Sequence, residues 1–368
     1  MENTNENNKT FSQIINLSVA VPLPDAKINK GKGYIEWGTK NVYPDYILSM
    51  FNSKGSALFT AIINKKTKLM SAAGFKMTTD PILNAFIKKN RLNHEIKKIV
   101  LDYELFNAFA LEIIYDKIGE NINKILHVPL SNIRLGLNDD MEIDHYKYSA
   151  DWSQSRKDMY APIDMVKYDG SKKGKQTYVY FEYNPQNKGA YAVLPYDNII
   201  NFINIDHKIG VFHLNQISNG YNPSMIVNIP DTPNPEERKE FSKNFKKNFA
   251  GEERSGKVII TYADETAPTI TPFVGNDSDK RFVTLAKQTE NTIIQGMEIP
   301  LQLVSLIPGK MGATEDREAL LAEFNTSYIL PRQDVINEVL NELFDGQFTE
   351  QIELGSIIKE EAKTEETE

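Results

Sequence analysis

Seven residues in the second half of the chain have the spacing of a phosphate-binding loop. Gly251 to Lys257 read G-x-x-x-x-G-K, a pattern whose backbone N–H groups and lysine hold nucleotide phosphates. The next residue is Val258, so the Ser or Thr hydroxyl that would hold magnesium is missing. Such a loop also follows a strand and opens a helix, whereas here a predicted helix at 236–249 comes first and a predicted strand at 258–262 follows. We therefore interpret the two glycines as a helix cap and a turn, and we predict no ATP binding.

One acidic segment and the histidines are the other chemically suggestive residues. Residues 138–144 could open a calcium loop, but the sixth position is not glycine and the twelfth is Ser149 instead of glutamate. We interpret this segment as an acidic turn between strands. The histidines show no metal-binding spacing, and we expect them to be surface or packing residues: His94, His127, His145, His207 and His213. With no G-x-S-x-G motif either, the sequence predicts a protein that is not an enzyme and binds no cofactor or metal.

The composition excludes several classes of protein. The chain has 368 residues, 40% hydrophobic and 25% charged, which are globular values. It contains no cysteine, so disulfides, zinc–thiolate sites and thiol nucleophiles are excluded. No run of about 18 apolar residues predicts a membrane span, and the polar N-terminus is not a signal peptide. The net charge of −8 is unlike that of a protein that binds DNA tightly through charge.

Periodicity predicts an α+β region over residues 53–195. Turn residues separate its elements, and 169–175 is a basic hairpin tip for which a solvated turn is the expected structure. The predicted helices are 53–72, 81–90 and 93–107, and the predicted strands are 108–115, 124–128, 133–137, 143–148 and 177–183. Residues 1–10 are Asn-rich and expected to be disordered.

After Pro195 longer helices are predicted. One extends to Ile217, and another begins at Glu236, after Pro233 and Pro235, with an apolar face formed by three phenylalanines and a basic face: Lys239, Lys243, Lys246 and Lys247. Strands are predicted at 225–229, 258–262 and 269–273, and further helices at 279–296 and 314–344, the last with a kink at Pro331. A glycine-bearing loop separates these two helices: Pro308, Gly309, Lys310, Met311 and Gly312.

Six segments, taken in this order, resemble the portal (head-to-tail connector) proteins of tailed bacteriophages, and most of all the small portals of Bacteroidetes-type phages and prophages. Each segment alone is a weak signal, but their order is maintained over about 300 residues. The segments are Trp37–Pro44 with Ala73–Phe75, Phe109–Tyr115 with Val128–Arg134, Phe212–Met225, Phe249–Gly251 with Gly256–Ile259, Gly296–Pro300, and Tyr328–Pro331.

The resemblance implies a portal fold with an α/β wing, a two-helix stem, an α/β clip, a long kinked C-terminal helix and a minimal crown. It assigns these segments by number: N-terminal arm 1–52, wing 53–195, stem helix 196–218, clip 219–278, second stem helix and turn 279–305, channel loop 306–315, wing/crown helix 316–350 and acidic tail 351–368. The implied assembly is a ring, usually of twelve subunits, at one capsid vertex.

The same resemblance implies the partners. Double-stranded DNA would pass through the ring without sequence specificity, with Lys310 nearest to it. The terminase large subunit, the head–tail adaptor and the major capsid protein would bind the outside, and the clip lysines would form a partner surface. The expected location is the virion, with host cytoplasm during assembly and no membrane. Two alternatives stay open: a structural or scaffold protein that forms no ring, and a nucleotide-dependent enzyme that uses Gly251 to Lys257.

Overall fold

The structure is a computed structural model that describes residues 26–29, 31–52, 55–119, 121–187, 189–218, 225–229, 234–237, 239–240, 258–262, 269–272, 278–304 and 314–358. The chain divides into two compact units. The larger unit comprises Pro22–Asn204 and Asn291–Glu368, and the smaller unit comprises Met1–Val21 and Ile205–Glu290. Both helices and strands occur, so the predicted α+β class is confirmed.

Four helices begin the larger unit, and local side chains fix where two of them start. The helices are α1 (Tyr43–Phe51), α2 (Ala57–Ser71), α3 (Pro81–Lys89) and α4 (Leu92–Phe106). The Ser56 hydroxyl accepts a hydrogen bond from the Phe59 N–H, so α2 begins four residues later than the sequence predicts. The Asp80 carboxylate accepts hydrogen bonds from the first turn of α3, where Pro81 needs no backbone donor.

Two antiparallel sheets lie beside these helices. Their strands are β1 (Ala26–Asn29), β2 (Tyr34–Trp37), β3 (Ala108–Tyr115), β4 (Ile122–Val128), β5 (Ile133–Leu137), β6 (Ile143–Tyr148), β7 (Ile163–Val166) and β8 (Lys175–Phe181). The five-stranded sheet has the order β1-β2-β5-β6-β7, and the three-stranded sheet has the order β4-β3-β8. The acidic segment 138–144 contains the turn between β5 and β6, as predicted, and the basic segment 169–175 includes an exposed turn between β7 and β8. The prediction of a hairpin at 169–175 is wrong, because β7 and β8 belong to different sheets.

The N-terminal segment contributes to the core, which corrects the sequence-based boundary of the arm. Residues 1–52 are predicted to form an arm outside the wing. In the structure Trp37 is buried and its ring stacks on that of Tyr191 at 4.3 Å, and Tyr43 and Ile47 of α1 are buried as well. Residues 34–51 therefore belong to the larger unit, where burial removes their aromatic and apolar side chains from water.

Two long helices each begin in one unit and end in the other. They are α5 (Ile200–Ser218) and α6 (Ser278–Gly296), close to the predicted bounds. In the larger unit the end of α6 meets the start of α5. A Cβ atom at Gly296 would lie 2.4 Å from the Ile199 side chain, so only glycine permits this approach.

The smaller unit contains a mixed three-stranded sheet. Its strands are β9 (Met225–Ile229), β10 (Val258–Tyr262) and β11 (Thr269–Pro272), all close to prediction. The central strand β9 pairs with β10 in parallel and with β11 in antiparallel orientation. Because β10 begins directly after Lys257, a strand follows the phosphate-loop pattern, as the sequence argument requires.

The C-terminal helix is interrupted by a π-helical turn before Pro331. It comprises α7 (Thr314–Phe324), the π turn Asn325–Ile329 and α8 (Leu330–Leu343). Pro331 cannot donate a backbone hydrogen bond, and the wider turn just before it accommodates that loss. The predicted irregularity is therefore present, but it lies one turn earlier than Pro331.

The chain after α8 corrects the predicted acidic tail. Residues 351–368 are assigned to that tail, but Ile352 and Leu354 are buried in the larger unit. Leu354 forms a β-bridge with Phe75, and the Asn337 side chain accepts a hydrogen bond from the Leu354 N–H. Ile352 and Leu354 alternate with the exposed Gln351 and Glu353, so the segment packs one apolar face on the core. Residues 359–368 lie outside the described residues.

Candidate functional site

Two cavities among the described residues of the larger unit are too small for a sizeable ligand. One cavity, of about 30 Å³, lies beside Tyr115 and Leu343, and the other, of about 20 Å³, lies beside Lys66 and Tyr328. Each volume suits a single water molecule. Within the described part of the chain, no cluster of three metal-binding side chains occurs and no helix could span a membrane.

His127 and Asp102 form a pair of a kind that catalytic sites also use. The His127 Nε2 atom lies 2.8 Å from an Asp102 carboxylate oxygen, and the same oxygen accepts a hydrogen bond from the Leu130 N–H. The backbone N–H of His127 donates a hydrogen bond to the Glu95 carboxylate. All these contacts join α4 to β4 and the turn that follows it. The pair therefore holds a helix against a sheet, in agreement with the predicted packing role of this histidine.

Only one of the predicted clip lysines lies within the described residues. Lys239 is exposed on a helix that begins at Pro235, while Lys243, Lys246 and Lys247 lie outside the described residues. The Asn234 side chain accepts hydrogen bonds from the N–H groups of Glu236 and Glu237, and the Glu237 carboxylate accepts one from the Asn234 N–H. This reciprocal cap confirms the predicted helix start.

The predicted channel loop lies outside the described residues: Pro308, Gly309, Lys310, Met311 and Gly312. The chain on both sides of the loop is helical. One helical turn, Leu301–Val304, precedes the loop and α7 follows it. The Leu303 side chain is buried in the larger unit. The position and the role of the loop both stay predictions.

A buried cluster of charged side chains, which the sequence did not predict, lies between α2, α4 and the C-terminal helix. We call it the Glu104 cluster; it consists of Lys66, Tyr103, Glu104, Tyr328 and Arg332. The Glu104 carboxylate accepts hydrogen bonds from the Tyr328 hydroxyl at 2.8 Å and from Arg332 Nε at 2.7 Å, and Lys66 Nζ lies 3.8 Å away. The Arg332 guanidinium also stacks on the Tyr103 ring at 3.7 Å. Because these residues lie on α2, α4 and the C-terminal helix, the cluster joins three elements that are distant in sequence.

Burial and charge oppose each other in the Glu104 cluster. Burial lowers the pKa of the Lys66 ammonium to about 8, although Glu104 acts in the opposite direction. Burial also disfavours a charged Arg332, but Glu104, Tyr328 and Tyr103 together outweigh burial and raise the arginine pKa. Two cations thus share one carboxylate in a nearly dry site. Such an arrangement fixes the relative positions of the three charged side chains, at the cost of removing their charges from water.

Another buried cation, Arg134, unites two of the segments on which the portal resemblance depends. Its guanidinium donates to the Ser131 and Ile133 carbonyl oxygens at 2.7 Å and to the Asn41 side chain. It also lies over the Trp152 ring at 4.7 Å. Burial lowers the arginine pKa to about 10. These segments therefore build the framework of the larger unit.

The described side chains of α5 and α6 in the smaller unit expose apolar surface. Phe212 and Phe282 stack on each other with ring centroids 4.4 Å apart, so the two helices contact each other here. Large apolar side chains beside this contact remain in water: Val211, Leu214, Val283 and Leu285. Leu214 is 63% exposed and Val283 is 69% exposed. Such a patch is typical of a surface that another protein chain covers.

Comparisons with known proteins agree with these observations. The family model described as phage portal protein matches residues 94–362, which is well over half of the chain. No curated protein sequence gives a significant match. A chain in the virion of a native gene transfer agent particle aligns with a TM-score of 0.55 and 13% identity, over 86% of this chain and 84% of that chain. A chain in the neck of a native gene transfer agent particle, computed with C12 symmetry, gives a TM-score of 0.55 and 13% identity over 83% and 82%. At such identities the likeness shows a shared fold, and the further likeness to Bacteroidetes-type portals stays a prediction.

Proposed function

The chain belongs to the phage portal protein family, and we propose that it forms a closed ring of twelve subunits at one capsid vertex, through which DNA is packaged and ejected. The observation that carries the proposal is the family match, together with the exposed apolar patch on α5 and α6. A heterologous contact repeated around an axis covers such a patch on every subunit, and it leaves no free end when the ring closes. The C12 symmetry of the neck that shares this fold supports the number.

DNA would pass through the ring without recognition of its base sequence. The net charge of −8 suits a channel in which DNA slides, because a strongly cationic wall would hold the phosphates. We place residues 308–312 at the narrowest point, with Lys310 nearest the duplex. One cation per subunit would contact phosphates weakly and independently of sequence.

External partners would bind elsewhere on the ring. We propose that the clip, residues 219–278, docks the terminase large subunit during packaging and the head–tail adaptor afterwards, with Lys239, Lys243, Lys246 and Lys247 facing acidic surfaces of those partners. The wing would contact the major capsid protein. The protein would act as a structural conduit in the virion, not as an enzyme, and would assemble in the host cytoplasm.

Ring formation is tested by imaging the purified chain and measuring its mass. We expect rings in negative stain, and we expect Leu214→Asp and Val283→Asp to give folded subunits that do not close, because a carboxylate would be buried in the contact. Ile118→Asp is the matched control, since this side chain is 79% exposed on a hairpin of the larger unit. A wild type that stays monomeric in every salt condition would favour a scaffold protein without a ring.

The channel assignment is tested with Lys310→Glu. An exposed loop charge contributes little to stability, so folding and ring yield should not change. DNA packaging or retention should change, and the salt dependence of DNA binding by the ring should weaken. If packaging efficiency and DNA binding were both unchanged, Lys310 would not be a channel residue.

A further inference from the structure

We propose that residues 15–21 of one subunit add a strand to the outer edge of β7 in the neighbouring subunit of the ring. The inference rests on the ring proposed above and specifies one of its subunit contacts. It joins an open, apolar sheet edge to an uncharged segment whose sequence predicts a strand. Edge strands are open to such additions because one side of their backbone lacks hydrogen-bond partners.

The edge formed by β7 carries no lysine within its four residues, Ile163–Val166. This strand is the last in its sheet and has no strand on its outer side among the described residues. Ile163 and Val166 are each 60% exposed, and Met159 just before the strand is 83% exposed. Natural edges more often carry lysines that prevent pairing. Here the nearest charge, Asp164, already forms an ion pair with Lys147 of β6.

The edge is open over a defined length. β6 pairs with all four residues of β7 on the inner side. Immediately afterwards Lys167 forms a parallel bridge with Thr177 of β8, and the Tyr168 N–H donates to the Thr177 carbonyl. These bonds close the edge after Val166. A short added strand therefore fits, and a long one does not.

Residues 15–21 match this edge in length and chemistry. Their sequence is Ile-Asn-Leu-Ser-Val-Ala-Val, in which large apolar residues alternate with small or polar ones. Strict alternation with β-branched residues is the pattern of a strand with one apolar face. From Phe11 to Pro24 the chain carries no charged residue, so pairing with an apolar edge buries no charge.

The connection to β1 is too short for a subunit to pair with its own β7. Five Cα steps separate Val21 from Ala26, and they span at most about 18 Å. β1 and β7 are opposite edges of the five-stranded sheet. At about 4.8 Å per strand, the position outside β7 lies about 24 Å from β1.

A return onto the outer edge of its own β1 is also disfavoured. Pro22 and Pro24 lie between residue 21 and β1. Each proline has a fixed φ and holds the residue before it extended, so this connection resists the tight turn that a hairpin needs. An extended connection leads away from its own β1, and in a closed ring it can reach the neighbouring subunit.

Cysteine crosslinking provides the test, because the natural chain contains no cysteine. Full-length Val19→Cys and Ile163→Cys subunits would be co-assembled, and a short bifunctional thiol reagent would tolerate a small difference in register. We expect a crosslinked dimer on denaturing gels as the main product. Val19→Cys with Ile118→Cys is the control, since Ile118 is exposed but lies away from the edge, and that pair should give only background.

A second variant tests the edge without crosslinking. The double variant Ile163→Lys, Val166→Lys should lower ring yield as much as deletion of residues 1–21 does. The double variant combined with the deletion should lower ring yield no further, because both changes remove the same contact. Rings that form without the Val19–Ile163 crosslink would overturn this inference and leave the proposed function intact. An intrachain crosslink in a Val19→Cys, Ile28→Cys double variant would also overturn it, in favour of pairing with β1. A wild type that forms no rings at all would overturn the proposed function itself.

Discussion

The larger and the smaller unit differ in how completely they bury their apolar side chains. In the larger unit the apolar side chains of α2, α4 and β3 are almost all buried, and even its cations Lys66 and Arg134 are enclosed. In the smaller unit Phe212 and Phe282 contact each other, but the apolar residues beside them remain exposed on α5 and α6. One region thus completes its core within a single chain, and the other presents surface that a neighbouring chain can cover.

This difference shows where stability and assembly can be separated. Substitutions in the buried clusters should act on folding of the larger unit. Substitutions on the exposed stretches of α5 and α6 should act on contacts between chains. The following predictions compare matched changes in the two kinds of environment.

The largest effect is expected for Glu104→Gln. This change leaves Lys66 and Arg332 buried without their carboxylate, which should lower the free energy of unfolding by about 3–5 kcal/mol. Glu112→Gln is the control, because Glu112 pairs with the exposed Lys175 and should cost about 0–1 kcal/mol. Urea denaturation followed by circular dichroism measures both. Equal midpoints for the two variants would show that the buried cluster contributes no special stability.

Two phenylalanines sharpen the comparison between the units. Phe109 is completely buried in β3, so Phe109→Ala should cost about 3–5 kcal/mol of unfolding free energy. Phe212 is half-buried and stacks on a single ring, so Phe212→Ala should cost about 1 kcal/mol in the isolated subunit. Its main effect should appear as reduced ring yield in mass photometry. A Phe212→Ala subunit that unfolds as readily as Phe109→Ala would mean that α5 and α6 are as self-sufficient as the larger core.

A smaller effect is expected from the pH dependence of Lys66. Its pKa is lowered to about 8 by burial, and an unfolded lysine titrates near about 10.4. Between these values the unfolded chain binds more protons than the folded chain, so the free energy of unfolding should rise with pH. Below about pH 8 both forms are protonated and this gain is absent.

Urea midpoints measured from about pH 7.5 to about pH 9.5 test this linkage, since most tyrosines ionise above that window. Lys66→Met is the control, because methionine fills similar space and does not titrate. The wild type should gain on the order of 1–3 kcal/mol relative to this variant across the window. A wild type whose stability falls in parallel with the variant would show that Lys66 keeps its proton in the folded state.

Local sequence signals predicted the regular elements well. Strands β3, β5, β6, β9 and β10 have the predicted bounds, because alternation and turn residues act over a few positions. β1, β2 and β7 were not predicted, since four-residue strands give little periodicity. The start of α2 was predicted too early because the Ser56 cap depends on backbone geometry.

The site was less predictable than the fold. The Glu104 cluster joins Glu104 to Lys66, about 40 positions away, and to Arg332, about 230 positions away. The sequence shows these residues only as separate polar residues within amphipathic helices. A possible signal was the polar side of α4, where Glu104 lies between the buried Tyr103 and Leu105. The predicted assignments of Lys310 and the clip lysines depend on the family resemblance, because no local pattern distinguishes a channel lysine from a solvated one.

The sequence by itself determined the α+β class, most element bounds, the absence of cysteine chemistry and the resemblance to phage portal proteins. These follow from composition, short-range periodicity and the order of motifs. Only the tertiary structure decided that residues 34–51 and 351–358 belong to the core, that Glu104 binds two cations, and that β7 is an open edge. These features depend on contacts between distant segments, where the free energy of burial outweighs local preference.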